Sequence, residues 1–299
     1  MAKLELILLN YKTAEMTMDA IKSIYYNPPD CSYRVWLVDN ASNDGSLEKI
    51  SKALPKVKII ANPENSGFAI GNNLAIKEAY PDGEYYLLIN TDTIVYKDSL
   101  NALVKFADIS DHGIVSCYLT NPDGSFQPNC GDLPTFIPMM TWLTGIDDLF
   151  KKVVNIPSYH QESKKYYVDG KTVGWISGSV FLIKKETIEK IGMLDEKIFM
   201  YGEDVEYCWK AKRAGISCGW TDKGKILHIG GASSDKPKLR QWAGEFKGLF
   251  YLYKKFYGFV PSLAVRLISY VFIFLRAIAF MLMGKFDHAK TYVQVIGNI

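Results

Sequence analysis

The chain has 299 residues, of which 48% are apolar, enough to bury a substantial core and too many for a disordered polypeptide. Its formal net charge of +3 is small, and no Lys/Arg run is interleaved with base-stacking aromatics, which argues against nucleic acid as a partner. The five cysteines (Cys31, Cys117, Cys130, Cys208 and Cys218) form no close metal-ligand pair and leave one over, so a reducing, cytoplasmic location is expected rather than a disulfide framework.

The first apolar run, Leu4 to Leu9, is interrupted by Glu5, ends at Asn10 and carries no small-residue cleavage site, so it reads as a strand and not a signal peptide. Arg34 to Val38, Val57 to Ile60 and Tyr85 to Ile89 are further runs of strand length. Between them, Ala20, Ile21, Ile24 and Tyr25, then Leu74, Ala75 and Ala79, recur at helical spacing. This alternation predicts an α/β fold, a Rossmann-like, mainly parallel sheet flanked by helices, with ligands gathered at the carboxyl ends of the strands. Polar clusters fall at those ends: Asn10-Tyr11, Asp39-Asn40, Asn62 to Gly67 and Asn90-Thr91-Asp92. Each alone reads equally well as a turn or a helix cap. Four along one sheet edge point to a nucleotide, which needs a carboxylate or amide for base and ribose and close backbone approach for its phosphates.

From residue 125 to 172 the alternation fails. Four prolines and several aromatics follow no sustained period, which suggests an acceptor-side insertion or lid. Beyond it, Tyr201 to Trp209 places Glu203 and Asp204 at the start of a helix, and His228-Ile229-Gly230-Gly231 follows. The dipeptide also suits a helix macrodipole, and the histidine also suits a structural position near a glycine turn. After residue 240 the chain becomes basic and aromatic (Lys247, Lys254, Lys255), then almost wholly apolar from Phe259 to Met283 except for Arg266 and Arg276. That length approaches the ~20 residues of a membrane span. The two arginines favour instead a helix or helical hairpin lying in the interface with the guanidinium groups on phosphates, or a helix packed on protein or in a homodimer.

The order VDNASNDGS (38–46), NPENSGFAIGNN (62–73), LLINTD (87–92), WISGSVFLIKKETIEKIGMLDEKIFMYGEDVEYCWKAKRAG (175–215) and HIGGASS (228–234) resembles the inverting glycosyltransferases of family two, with the GT-A fold, and within them the rhamnosyltransferase-like members. The resemblance covers residues 3 to 235. It implies a catalytic domain over 1–240, with a C-terminal helical, membrane-associating region over 241–299. It further implies a nucleoside-diphosphate sugar donor, a glycan or lipid-linked glycan acceptor and a divalent cation, Mg²⁺ or Mn²⁺.

Carried over by position, the resemblance places Asn10, Tyr11 and Asp39 at the nucleotide base and ribose, and Asn65, Gly67 and Asn90 along the ribose and diphosphate. Asp92 becomes the metal carboxylate with His228 beside the metal or diphosphate, and Trp175 and Gly178 face the acceptor. Asn90 and Thr91 depart from a full acidic motif, leaving one ionised ligand, so the diphosphate is expected to complete the coordination. Inversion at an anomeric carbon needs a single base for the acceptor hydroxyl, the role implied for Asp204, with Glu203 orienting it or raising its pKa. The favoured donor is dTDP-L-rhamnose, for cell-surface polysaccharide synthesis at the inner face of the cell membrane. UDP-galactofuranose, UDP-glucose and UDP-N-acetylhexosamine remain alternatives, as does a catalytically silent glycan-binding scaffold. A sugar nucleotidyltransferase would carry a glycine-rich basic loop near the N-terminus, which LLNYKTAEMT lacks.

Overall fold

The computed structural model describes residues 3–150, 155–230 and 239–299; the final residues of the HIGGASS run lie outside them. Three βα units and a fourth strand open the fold: β1 (Leu4–Asn10), α1 (Ala14–Tyr26), β2 (Tyr33–Asn40), α2 (Ser46–Ala53), β3 (Lys58–Asn62), α3 (Gly67–Ala79) and β4 (Tyr85–Ile89). A short β5 (Thr93–Val95), α4 (Ser99–Ile109) and β6 (Ile114–Thr120) follow. The segment expected to be irregular contains β7 (Phe126–Gln127), β8 (Cys130–Gly131), α5 (Phe136–Thr144), α6 (Ile146–Phe150) and β9 (Lys171–Val173). These pieces are too short to print a period, yet Cys130, Met139, Leu143, Tyr159 and Tyr166 join the main core.

The chain continues through β10 (Trp175–Ile176), β11 (Val180–Lys184), α7 (Lys185–Ile191), α8 (Glu203–Arg213) and β12 (Cys218–His228). It ends in α9 (Leu239–Tyr257), α10 (Phe259–Leu282) and α11 (Phe286–Ile296). The main sheet runs β3-β2-β1-β4-β11-β6-β12-β5. Strands β1 to β4 are parallel as expected, but β11 is antiparallel to both β4 and β6, and β12 is antiparallel to β5, so the sheet is mixed. The reversal has a use. Val180 pairs with Ile89, so the residues that enter β11, 177 to 179, arrive at the carboxyl edge where β4 delivers Asn90 to Asp92.

Glu5, the charge that interrupts the first apolar run, is completely buried. Arg34 of the neighbouring strand grips both its oxygens (Nε to Oε1 and Oε2, 3.0 Å each), and the Trp36 indole donates to Oε2 at 2.7 Å. Removing one partner strands a buried charge, so Arg34→Ala is expected to lower unfolding free energy by about 3–5 kcal/mol in urea titrations.

Helix α9 contributes Phe246, Leu249, Phe250, Leu252 and Tyr253 to the same core as the sheet. Helix α10 packs inward through Val265, Ser269, Ile273 and Ala277, one residue per turn. It turns Leu263, Leu267, Val271, Phe274, Leu275 and Ile278 outward. Arg276 donates to the Tyr292 hydroxyl at 3.1 Å and to the Trp142 carbonyl, while the Arg266 guanidinium lies 4.9 Å from the Phe250 ring centre. Arg276 is thus taken up by protein partners, Arg266 is exposed beside an aromatic ring, and the outward stripe is otherwise apolar. Among the described residues α10 is the one helix long and apolar enough to cross a membrane. Of the three lysines ahead of it, Lys255 is taken up by Asp195 (2.5 Å) and Glu206 (2.8 Å), while Lys247 and Lys254 are exposed.

Candidate active site

The carboxyl edge of the sheet opens into a cavity of about 360 Å³. Its nucleotide side is built from the ends of β1, β2 and β3. Register places Asn10 beside Asp39 and Asn40 beside Asn62. Asn10 is fully buried; its amide donates to Asp39 (2.6 Å) and Ser42 (3.0 Å), and its carbonyl accepts from Thr13 and Thr17 hydroxyls. Asp39 also accepts from the Ser42 hydroxyl and backbone N–H. Asn10 and Asp39 therefore form a bracket behind the cavity, and neither is in its lining. Tyr11, partly exposed, is in the lining.

Asn40, absent from the candidates read from sequence, is a lining residue that organises the next loop. Its amide donates to the Asn65 and Gly67 carbonyls (both 3.1 Å), and its own carbonyl accepts from Asn62 at 2.7 Å. Gly67 has φ +81, and a Cβ there would stand 2.2 Å from the Phe199 carbonyl, so only glycine fits. That contact, with the Phe68 N–H donating to the same carbonyl at 2.8 Å, ties the nucleotide-side loop to the segment leading into α8.

On the opposite wall β4 and β12 bring three polar side chains together. Asp92 Oδ1 and Asn90 Nδ2 each lie 3.3 Å from His228 Nε2. The other ring nitrogen, Nδ1, lies 2.7 Å from Gln127 Oε1. The Gln127 amide is itself oriented, because its N–H₂ donates to the His228 carbonyl (3.2 Å) and to Asn121 Oδ1 (2.8 Å). The amide oxygen then faces the ring, so Nδ1 carries a proton and Nε2 faces Asp92 and Asn90, with His228 itself outside the cavity lining. Gln127 sits on β7, in the segment without sequence period, so no pattern could have singled it out. Among the described residues no group of three or more His, Cys, Asp or Glu side chains could hold a metal ion. A carboxylate and an imidazole lone pair side by side suit one divalent ion that takes its remaining oxygens from a diphosphate and water.

The third wall is the start of α8. Asp204 accepts from the Gly178 N–H at 2.9 Å and the Val205 N–H at 2.8 Å. Glu203 is buried, lines the cavity, and has an oxygen, Oε2, without a hydrogen-bond partner among the described residues. Burial first, then the neighbouring Asp204 charge, push the Glu203 carboxyl up to about 8, and burial raises Asp204 as well. Two carboxylates held from water this way favour one shared proton over two full charges. Gly178, expected to face the acceptor, lines the cavity. Trp175, also expected to face the acceptor, does not line the cavity: it is buried, its indole N–H donating to the Tyr159 carbonyl at 2.7 Å, and it serves packing.

A mixed sheet with a polar cavity at its carboxyl edge, one wall presenting a carboxylate–imidazole pair and another buried acid groups, defines a GT-A transferase fold. The sequence matches the glycosyl transferase family 2 profile over residues 6–192, and the chain belongs to that family. The match ends before α8. Among its relatives, the chain is 27% identical over 227 residues to the low-salt glycan biosynthesis hexosyltransferase Agl10 of Haloferax volcanii, covering 75% of this chain and 66% of the relative. It is 25% identical over 238 residues to the N-acetylglucosaminyl-diphospho-decaprenol L-rhamnosyltransferase of Mycobacterium tuberculosis, covering 72% and 73% of the two chains. In fold it is similar to the mannosyltransferase PcManGT of Pyrobaculum calidifontis, solved with GDP-Man and Mn²⁺, at TM-score 0.56 and 17% identity over 99% of this chain and 74% of that one.

Proposed function

We propose that this glycosyltransferase moves L-rhamnose from dTDP-L-rhamnose to a glycan or lipid-linked glycan acceptor, with inversion, in cell-surface polysaccharide synthesis. The observation that carries the reading is that Asp92, with His228 3.3 Å from it but outside the lining, lines one cavity together with the Asp204 carboxyl and with Asn65 and Gly67 of the nucleotide-side loop. Asp204, held by two backbone N–H groups, takes the proton of the acceptor hydroxyl as it attacks. Glu203, protonated at neutral pH, leaves a single charge at the attacking side. Asp92 and His228 would hold Mg²⁺ or Mn²⁺, which supplies Lewis-acid stabilisation of the departing diphosphate. Asn90 orients His228, and the loop from Asn62 to Gly67 approaches the diphosphate with backbone. The preference for rhamnose is supported by the family resemblance and the mycobacterial relative.

Docking at the cytoplasmic membrane surface is part of this reading, supported by the outward apolar stripe of α10 and by Lys247 and Lys254 on α9. A panel of nucleotide sugars tests the donor. Calorimetry should show tightest binding for dTDP-L-rhamnose, ahead of UDP-galactofuranose, UDP-glucose and UDP-N-acetylglucosamine; preference for any of those replaces the assignment.

The metal is tested separately. Because only Asp92 brings a full charge, Asp92→Ala is expected to weaken metal-dependent donor binding more than Asn90→Ala, and excess EDTA should stop turnover. Full activity in EDTA removes the cation from the mechanism.

A further inference from the structure

The lining of the cavity is not polar throughout. Phe68, the second residue of α3, follows Gly67 of the nucleotide-side loop, and its half-buried side chain lines the cavity. Part of the ring packs on the main core, and the rest is left to the cavity. The backbone that carries it is fixed on both sides: its N–H donates to the Phe199 carbonyl at 2.8 Å, and its carbonyl accepts from the Asn72 amide at 2.9 Å.

Gly178 shows how far the ring reaches. A Cβ on Gly178 would stand 3.0 Å from Phe68 Cζ and 3.3 Å from Cε1, and 3.8 Å from Asp204 Oδ2, so the ring edge and the carboxylate flank the same glycine. The Gly178 N–H is one of the two that hold Asp204. A single residue therefore runs from the loop assigned to the diphosphate to the group assigned to the acceptor proton. One turn along α3, Gly71 leaves room for Leu9: a Cβ there would stand 2.4 Å from Leu9 Cδ1, and Leu9 also lines the cavity. Positions three apart share a helix face, so Leu9 and Phe68 offer neighbouring apolar surface.

We propose that this apolar shelf seats the transferred sugar, with the Phe68 ring as the contact for the C–H surface of the pyranose. The inference rests on the reading of the cavity as a nucleotide-sugar site.

In an inverting displacement the anomeric carbon stands between the departing diphosphate and the attacking hydroxyl, so the sugar fills the stretch from the Gly67 loop to Asp204. Phe68 borders both ends of that stretch. A pyranose carries hydroxyls around its rim and C–H groups across its ring. The amides of Asn65 and Asn90 and the hydroxyls of Ser177 and Ser179, all in the lining, suit the first, and an aromatic ring suits the second by removing both apolar surfaces from water. Because the Phe68 backbone is already held, little order is lost when the sugar arrives. Phe68 should therefore act on affinity for the sugar and leave affinity for the nucleotide alone.

That division is the test. The full chain and the substitutions Phe68→Ala and Phe68→Leu are titrated by calorimetry with dTDP-L-rhamnose and, separately, with dTDP. Phe68→Ala is expected to weaken dTDP-L-rhamnose by about tenfold or more relative to dTDP, the loss that goes with an apolar side chain of this size, and Phe68→Leu by less. Affinity for dTDP should stay at the wild-type level in both variants, which also reports an intact fold. Equal weakening of the two ligands in both variants would assign Phe68 to holding the Gly67 loop, and an unchanged ratio of the two affinities would remove it from the sugar contact; either result overturns the proposal. Should another nucleotide sugar bind the wild type most tightly, that donor and its own nucleoside diphosphate form the pair, and the ratio is read in the same way. A wild type that binds no nucleotide sugar fails the reading of the cavity itself, whereas one that binds a donor with a ratio indifferent to Phe68 fails the shelf alone.

Discussion

Asp204→Asn is expected to reduce transfer by ~10²-fold to 10⁴-fold, the contribution of a positioned general base. Donor binding should change little, because Asp204 is held by Gly178 and Val205 and touches none of the nucleotide-side loop in the hydrogen-bond network. The substitution is not sterically silent: the native carboxylate accepts from two backbone N–H groups, and an amide can accept with only one of its two ends. Donor calorimetry on the same preparation separates lost chemistry from a displaced Gly178. The wild-type pH profile carries the same signature. A base acts when ionised, and burial raises Asp204, so activity should fall with decreasing pH through a midpoint above the ordinary aspartate range. Substantial transfer by the asparagine variant removes Asp204 from the mechanism.

Replacing Leu267, Phe274 and Ile278 together by serine is expected to abolish flotation of the protein with anionic vesicles. All three point outward from α10, so the fold loses little packing, whereas each apolar side chain transferred to lipid contributes ~1.5 kcal/mol or more. Three such losses amount to a partition coefficient lower by about 10³-fold. Donor affinity should be unchanged. This is a cleaner test than ending the chain at Gly258, because α10 and α11 also cover α9: Trp242 packs on Tyr292 with ring centres 4.5 Å apart, and Arg276 binds the Trp142 carbonyl. Undiminished flotation of the serine variant would detach the stripe from membrane binding; concentration-dependent sedimentation abolished by the same substitutions would assign it to a second copy.

The βα alternation and the four polar clusters were legible because each element there is long enough to show its period and each cluster ends a strand. The reversed β11 was not, since a five-residue apolar run carries no direction; only pairing with Ile89 and Val115 reveals it. Asn90, Asp92, Glu203, Asp204 and Gly178 were visible as motif positions and line one cavity, while His228, also visible, stands against Asp92 outside the lining. Gln127 was not visible, because its importance lies in hydrogen bonds across elements distant in sequence, and Asn40 was visible only as a member of its polar cluster. Trp175 shows the converse: a motif neighbour whose polar atom is already consumed by the backbone.

A Cβ on Gly244 would stand 2.4 Å from the Tyr201 ring and one on Gly248 2.6 Å from the Tyr201 carbonyl, so α9 lies on the turn that launches α8, and this contact bears on how the protein can be altered. A map of tolerated substitutions would draw the border of the active centre well inside the C-terminal helix, at two positions with no side chain to offer a substrate. Chimeras that exchange the C-terminal helices between relatives to redirect attachment would therefore also exchange part of the frame of the catalytic centre, and a workable seam lies after α9 rather than before it.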